Sequence, residues 1–358
     1  MISAPSPAEV ERLELCPGYH IARLINGGWQ LSAEHDSAGA VASDVLAQLE
    51  RLVDAGFTTF DCADIYTGVE ELLGRLVVRL RRRGIDREAV QIHTKFVPDL
   101  EALAQLTATD VERTLDRSLQ RLGVEALDLV QFHWWDYTVP GYVETAWTLD
   151  QLRRKGKIRH LGVTNFDRRH LEEVVDAGVK IASHQCQYSL LDQRPAADLQ
   201  PFCRDHGIRI LAYGTLAGGF LADRWLDRPT PQDVANRSLV KYRLIVDEAG
   251  GWEYLQDLLI ALCRIAARHR TTASAIAIRW TLDRPEVAAA IVGARSDGHL
   301  EVNRAVFGLQ LSDEDRHQLD SIVGRSEGPS GPVFGLERMP GGRHSRIMKT
   351  GLGGTLER

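Results

Sequence analysis

The chain has no CxxC pair and no cysteine–histidine spacing of the kind that holds zinc, although Cys16, Cys62, Cys186, Cys203 and Cys263 are scattered along its 358 residues. An odd count of dispersed thiols fits reduced cysteines and a cytoplasmic location. Cys62 reads as core filler, since nothing near it marks a nucleophile. No GxGxxG follows the first strand: Gly27-Gly28 leads into Trp29 and not into a helix, which argues against a dinucleotide-binding open sheet. No apolar run approaches the roughly 20 residues of a membrane span. Met1 to Val10 has neither the basic start nor the apolar core of a secretion signal. Excess positive charge is missing too: 43 Lys and Arg stand against 49 Asp and Glu, and a net charge of -6 argues against a nucleic-acid partner. The Arg81–Arg83 triplet reads as the solvated end of a helix. There is no linker that would split the chain into two domains.

What is present is an alternation. Hydrophobic residues make up 44% of the chain and charged residues 26%, ordinary for a compact enzyme. Short apolar runs at 57–61, 90–95, 127–133, 158–163, 181–186, 208–213 and 288–292, with an earlier one at 21–25, read as buried strands. Helix-like stretches lie between them at 41–55, 69–83, 108–122, 142–155, 168–177, 197–206 and 252–283, and Ser312 caps a late helix whose first turn is acidic. Strands separated by helices imply parallel pairing through crossovers. Eight such units in about 250–300 residues predict an α/β fold, a (β/α)8 TIM barrel. Residues 1–323 form this single domain. The Gly-rich and basic stretch 324–358 is a tail that is either disordered or a cap over the barrel mouth. Residues 218–240 make a long polar loop after the seventh strand, placed to fold over a ligand.

Three of these strands end on ionisable residues: Asp61, Lys95 and His133. Tyr66 lies five residues beyond Asp61, in the loop before a helix starting near Val69. Active sites of such barrels lie at the C-terminal strand ends. A charge there needs a partner, so the joint pattern points to a proton-transfer site. His93, two residues before Lys95, faces the same side one layer deeper and reads as core. Asp64 and Glu70 flank the tyrosine loop, and Glu70 suits a helix start.

Asp61, Tyr66, Lys95 and His133, with the Glu70-Glu71-Leu72-Leu73-Gly74 run, resemble the marks of the aldo-keto reductases. The resemblance runs from Leu24 to about Asp320. It departs where Cys62 replaces a common Thr and where Thr67 stands between Tyr66 and Gly68. The resemblance implies hydride transfer between a nicotinamide and a carbonyl or alcohol. In that role Tyr66 would be the general acid or base. Lys95 would lower its pKa from about 10, Asp61 would hold Lys95 protonated, and His133 would donate a hydrogen bond to the carbonyl oxygen.

Gly162-Val163-Thr164-Asn165-Phe166 and the Gln185 to Tyr188 stretch resemble the family's cofactor strands. The resemblance implies that Thr164, Asn165 and Gln185 address the nicotinamide carboxamide and that Tyr213 stacks on the ring. Gly214, Leu216 and Gly218 would lie along the pyrophosphate. Gly293, Arg295, Ser296, His299 and Asn303 would grip the adenosine end. Val302 stands where an acid is common and His299 where Gln or Arg is common. Arg295 and Ser296 suit a 2′-phosphate, so NADPH or NADP+ is the expected cofactor, with NADH the alternative; no metal is implied. Trp29, Ile65, Trp134, Trp135 and Tyr137 are the expected substrate walls, suited to an apolar or ring-shaped small molecule. Two further readings stay open: a sugar (aldose) 1-dehydrogenase working oxidatively, and a cofactor-sensing subunit of a larger assembly. The complete set of four catalytic residues and the lack of an obvious docking segment weigh against the latter. Nothing in the pattern fixes the oligomeric state.

Overall fold

The computed structural model describes residues 9–32, 42–232, 237–293 and 297–351. Its centre is a closed barrel of eight parallel strands: β3 (Leu24–Gly27), β4 (Thr59–Asp61), β5 (Gln91–Phe96), β6 (Leu127–Phe132), β7 (Ile158–Thr164), β8 (Ser183–Gln187), β9 (Arg209–Tyr213) and β10 (Val287–Gly293), which closes onto β3. Two antiparallel strands precede it, β1 (Arg12–Cys16) and β2 (Tyr19–Ala22). Each barrel strand alternates its side chains. On β5, Thr94 turns outward to the helix layer, where its hydroxyl donates to Glu70, while His93 and Lys95 turn inward.

The expected early strand at 21–25 is in fact two elements. Ile21 and Ala22 end the hairpin and Leu24 opens the barrel. Arg23 makes the corner, its guanidinium donating to the carbonyls of Leu282 (2.6 Å), Val287 (3.1 Å) and Ala288 (3.2 Å). The hairpin drives Leu15 and Ile21 under the N-terminal end of the barrel, against Ile25, Leu129, Leu211, Ala288 and Ala289. That end is sealed by apolar packing, so access to the interior is left to the other end.

The helical layer follows the expected order, and its boundaries have local causes. Helix α1 (Val69–Arg82) leaves Gly68, which takes the left-handed conformation (φ 81°), and presents Arg79, Arg81 and Arg82 at its C-terminus. Helix α2 (Ala108–Leu122) begins in a capping box between Thr107 and Asp110. Helix α3 (Asp313–Val323) does the same with Ser312 and Asp315. Of the segment expected as loop at 218–240, the described residues up to 232 carry short turns at Ala217–Gly219 and Asp223–Trp225, and Arg237–Ala249 is a helix, so its last residues are helical. Glu70 is more than a helix-start charge: it is buried and also faces Arg121 of α2 at 3.3 Å, tying α1 to its neighbours.

The tail crosses the open end of the barrel. Val333, Phe334 and Glu337 are buried there, and the Leu100 N–H donates to the Thr350 carbonyl at 2.9 Å. Among the described residues, no helix is long and apolar enough to cross a membrane.

Candidate active site

Asp61, Lys95 and His133 sit at the open end because their strands finish there, and all three are buried. The Lys95 ammonium donates to Asp61 Oδ2 at 2.6 Å and to the Cys62 carbonyl at 2.8 Å. The other Asp61 oxygen accepts from Gln131 (3.1 Å) and Gln185 (2.7 Å). These donors fix both carboxylate oxygens and keep the Lys95 ammonium in place. Burial alone would lower the Lys95 pKa, but the charge of Asp61, then that of Tyr66, outweighs it and raises it above the ordinary value.

Tyr66 reaches the same centre from its loop. Lys95 Nζ is 5.1 Å from the centroid of its ring, and Trp29 packs edge-on at 5.1 Å. The balance at the phenol differs from the expectation that Lys95 leaves it acidic. Burial raises its pKa; Lys95 pulls it down, but the net shift in the unliganded protein is upward. The lysine contribution has the anticipated sign and is outweighed by desolvation. Cys62 is fully buried, and burial lifts its thiol well above the usual range, which makes it a poor nucleophile.

His133 follows β6 directly, with its ring edge-on to Trp135 (4.3 Å) and Phe334 (5.4 Å). Burial, followed by the charge of Arg338, lowers its pKa to about 3, so the ring is neutral near pH 7. Its Nδ1 lies 3.2 Å from the Thr164 carbonyl, and its buried Nε2 has no protein partner. A carbonyl only accepts, so the proton of the neutral ring belongs on Nδ1 and the lone pair on Nε2. On this tautomer the Nε2 lone pair faces the cavity, where it can accept a hydrogen bond from a hydroxyl.

A cavity of about 1100 Å3 opens onto these groups. Thr164, Asn165, Gln185, Tyr213, Gly214, Leu216, Gly218, Gly293, His299 and Asn303 all line it. Asn165 takes φ 63° and accepts from the Tyr213 hydroxyl at 2.8 Å. Gly214 has φ 70°, and a Cβ there would strike the Tyr242 hydroxyl. A Cβ on Gly218 would meet the same ring at 2.8 Å. Two glycines thus let Tyr242 close against this turn. Arg295 and Ser296 lie outside the described residues.

Of the expected substrate walls, Trp29, Ile65 and Trp135 line the cavity. Trp134 and Tyr137 do not. The Trp134 ring is packed on Phe132 and its indole N–H donates to the carbonyls of Asp136 and Val139. Tyr137 stacks on His170 with centroids 3.6 Å apart. Both are packing residues behind the wall. In their place the tail supplies Phe334, Ile347 and Met348, and the loop after β5 supplies Val97. Two polar residues were also missed. Gln131 could have been found as an inward position of β6, between Leu129 and His133. Lys241, whose ammonium lies 4.9 Å from the Tyr213 ring centroid, carried no signal beyond a cation at the end of a long loop.

The model of the Aldo/keto reductase family matches residues 23–323. The chain belongs to the aldo/keto reductase family. Among curated members it is 27% identical over 326 residues to aldo-keto reductase YhdN of Bacillus subtilis (strain 168), covering 88% of this chain and 95% of that protein. It is 28% identical over 323 residues to the NADH-specific methylglyoxal reductase of Escherichia coli (strain K12), covering 82% and 92%. The solved glycerol dehydrogenase of Gluconobacter oxydans superposes with a TM-score of 0.70 at 25% identity, covering 91% of this chain and 98% of that one. Membership makes the protein one of a family of nicotinamide-dependent oxidoreductases and agrees with the eight-stranded barrel.

Proposed function

We propose that the protein transfers hydride between NADP(H) and a small carbonyl or alcohol compound, with Tyr66 as the proton donor in reduction and, as tyrosinate, the acceptor in oxidation. The observation that carries this is the buried Asp61–Lys95 pair at 2.6 Å with its ammonium beside the Tyr66 ring. A fixed positive charge there offsets part of the cost that burial places on the tyrosinate, so a proton can leave and return within one turnover.

The cavity residues fit a dinucleotide. Amide and hydroxyl groups of Asn165, Thr164 and Gln185 match the donor and acceptor of a carboxamide. The tight turn at Gly214 and Gly218, closed by Tyr242, leaves backbone close to the cavity. A bound reduced nicotinamide supplies the hydride. The protein's own work is to fix the substrate oxygen between Tyr66 and His133, to exclude water behind Phe334 and Trp135, and to move one proton at the Tyr66 hydroxyl. Arg295 and Ser296 support the 2′-phosphate form of the cofactor. The apolar walls formed by Trp29, Ile65, Val97 and Trp135 support a substrate with an apolar body.

The lone pair on His133 Nε2 favours a second reading of direction. It meets a hydroxyl hydrogen, which suits the alcohol and therefore oxidation, including that of a sugar or polyol. A panel of aldehydes, ketones and sugars with NADPH and NADH, run against the matching alcohols with the oxidised cofactors, separates the two. The proposal expects turnover on at least one pair and a loss of about 1000-fold in Tyr66→Phe with cofactor affinity retained. Near-wild-type turnover in that variant contradicts it. Tighter NADH binding, or unchanged NADPH affinity in Arg295→Ala, contradicts the cofactor assignment.

A further inference from the structure

Arg338 belongs to the tail, 173 residues or more from each carbonyl its guanidinium binds. Its Nε donates to the Trp135 carbonyl at 3.0 Å, one terminal nitrogen to the Asn165 carbonyl at 2.9 Å, and the other to the Trp134 carbonyl at 2.6 Å. The plane of the group rests on the rings of Tyr137 (4.3 Å) and Phe334 (5.1 Å). Trp134 and Trp135 are the two residues after His133; Asn165 is the residue after Thr164. The fork therefore grips the chain on both sides of the hydrogen bond from His133 Nδ1 to the Thr164 carbonyl. The same contact holds Asn165 in its left-handed conformation, from which its side chain accepts from Tyr213.

Two neighbours hold the tail in register. Glu337 is buried and pairs with Arg194 at 3.1 Å, and Arg194 pairs in turn with the buried Asp192 at 2.7 Å. Phe334 takes φ 60°, a costly conformation for a bulky residue, and lays its ring against His133. Strain held by a buried ion pair next to an active-site ring indicates that this placement is specified.

We propose that Arg338 is a positioning residue that sets His133 and Asn165 together, so that docking of the tail completes the substrate side and the nicotinamide side of the site in one step. This rests on the roles proposed above for those two residues. Lysine cannot substitute, because one ammonium cannot span three carbonyls held in a planar fork.

The test compares Arg338→Ala and Arg338→Lys in the wild-type and His133→Ala backgrounds. It reads kcat, KM, the NADPH dissociation constant by fluorescence, and the His133 tautomer by 15N NMR of the protein without cofactor. A displaced catalytic group costs on the order of 100-fold, so each Arg338 variant should lose that much in kcat. Each should also bind NADPH about 10-fold more weakly, a loss of about 1.4 kcal/mol, and lose the pure Nδ1–H signature of His133. In the His133→Ala background, Arg338→Ala should cost less than about 3-fold further in kcat, since contacts that act as a unit are not additive. Wild-type kcat, cofactor affinity and tautomer in Arg338→Lys overturn the proposal, even if Arg338→Ala does not fold. Full multiplication of the two losses also overturns it. Wild-type turnover in His133→Ala alone would strike instead at the reading of the site, leaving the tautomer and affinity data to decide on Arg338.

Discussion

His93 and Lys95 stand two residues apart on the same inward face of β5, both buried, and burial treats them in opposite ways. His93 faces the sealed end. Its Nε2 contacts the Tyr19 hydroxyl at 3.1 Å, its Nδ1 has no partner, and burial, followed by the charges of Lys95 and His160, lowers its pKa to about 3. Lys95 faces the mouth, where the desolvation that would discharge it is overcome by Asp61. Low dielectric neutralises a base without a counter-ion and sharpens the charge of one that has it. One strand thus carries a neutral layer and a charged layer, and the difference lies in a carboxylate delivered by β4.

Removing the charge at the mouth breaks that contrast most severely. Lys95→Met should lower kcat by about 1000-fold or more, while His93→Phe should change the melting temperature and leave kcat within about 2-fold; steady-state kinetics on both variants checks this, and equal losses would dissolve the distinction. Asp61→Asn should come next. It strands a buried ammonium, at a cost of about 3–5 kcal/mol in chemical denaturation, and brings the alkaline limb of kcat to lower pH.

Acid sharpens the comparison further. Burial lowers the pKa values of His93 and His133 to about 3 and of His184 to about 4, against about 6.5 in an unfolded chain. A depressed folded pKa means that the unfolded state binds the proton more tightly. The stability these residues contribute is whole above about pH 6.5 and is lost as pH falls toward 3–4. Thermal melts across that window should show a steady decline, shallower in His93→Phe. The smallest effect belongs to the plug: Ile21→Val should cost about 1 kcal/mol, with unchanged kcat.

The barrel was legible because strands buried on both faces leave unbroken apolar runs, and the polar residues of the candidate site were legible because they sit where those runs stop. The hairpin was not. Arg12–Cys16 alternates charge with apolar residues like many surface segments, and Ile21 to Ile25 reads as one strand unless Arg23 is known to bind the carbonyls of Leu282, Val287 and Ala288 beside it. Asp61, Lys95 and Tyr66 meet as expected. The polarity of His133 was invisible, because it is decided by the Thr164 carbonyl, a backbone atom on the next strand. Trp134 and Tyr137 were misplaced for a related reason: neighbours in an irregular loop share no fixed direction, so adjacency to His133 said nothing of which rings face the cavity. Phe334 and Arg338 lie in an aperiodic tail, where no repeat marks a residue as facing inward.

The most direct measurement is the titration of the Tyr66 hydroxyl, followed by NMR of tyrosine labelled with 13C at Cζ and assigned by its absence in Tyr66→Phe. With Lys95→Met the hydroxyl should titrate at higher pH than in the wild type, because the ammonium that favours tyrosinate is gone while burial remains. An unchanged or lower titration point in that variant would contradict the account.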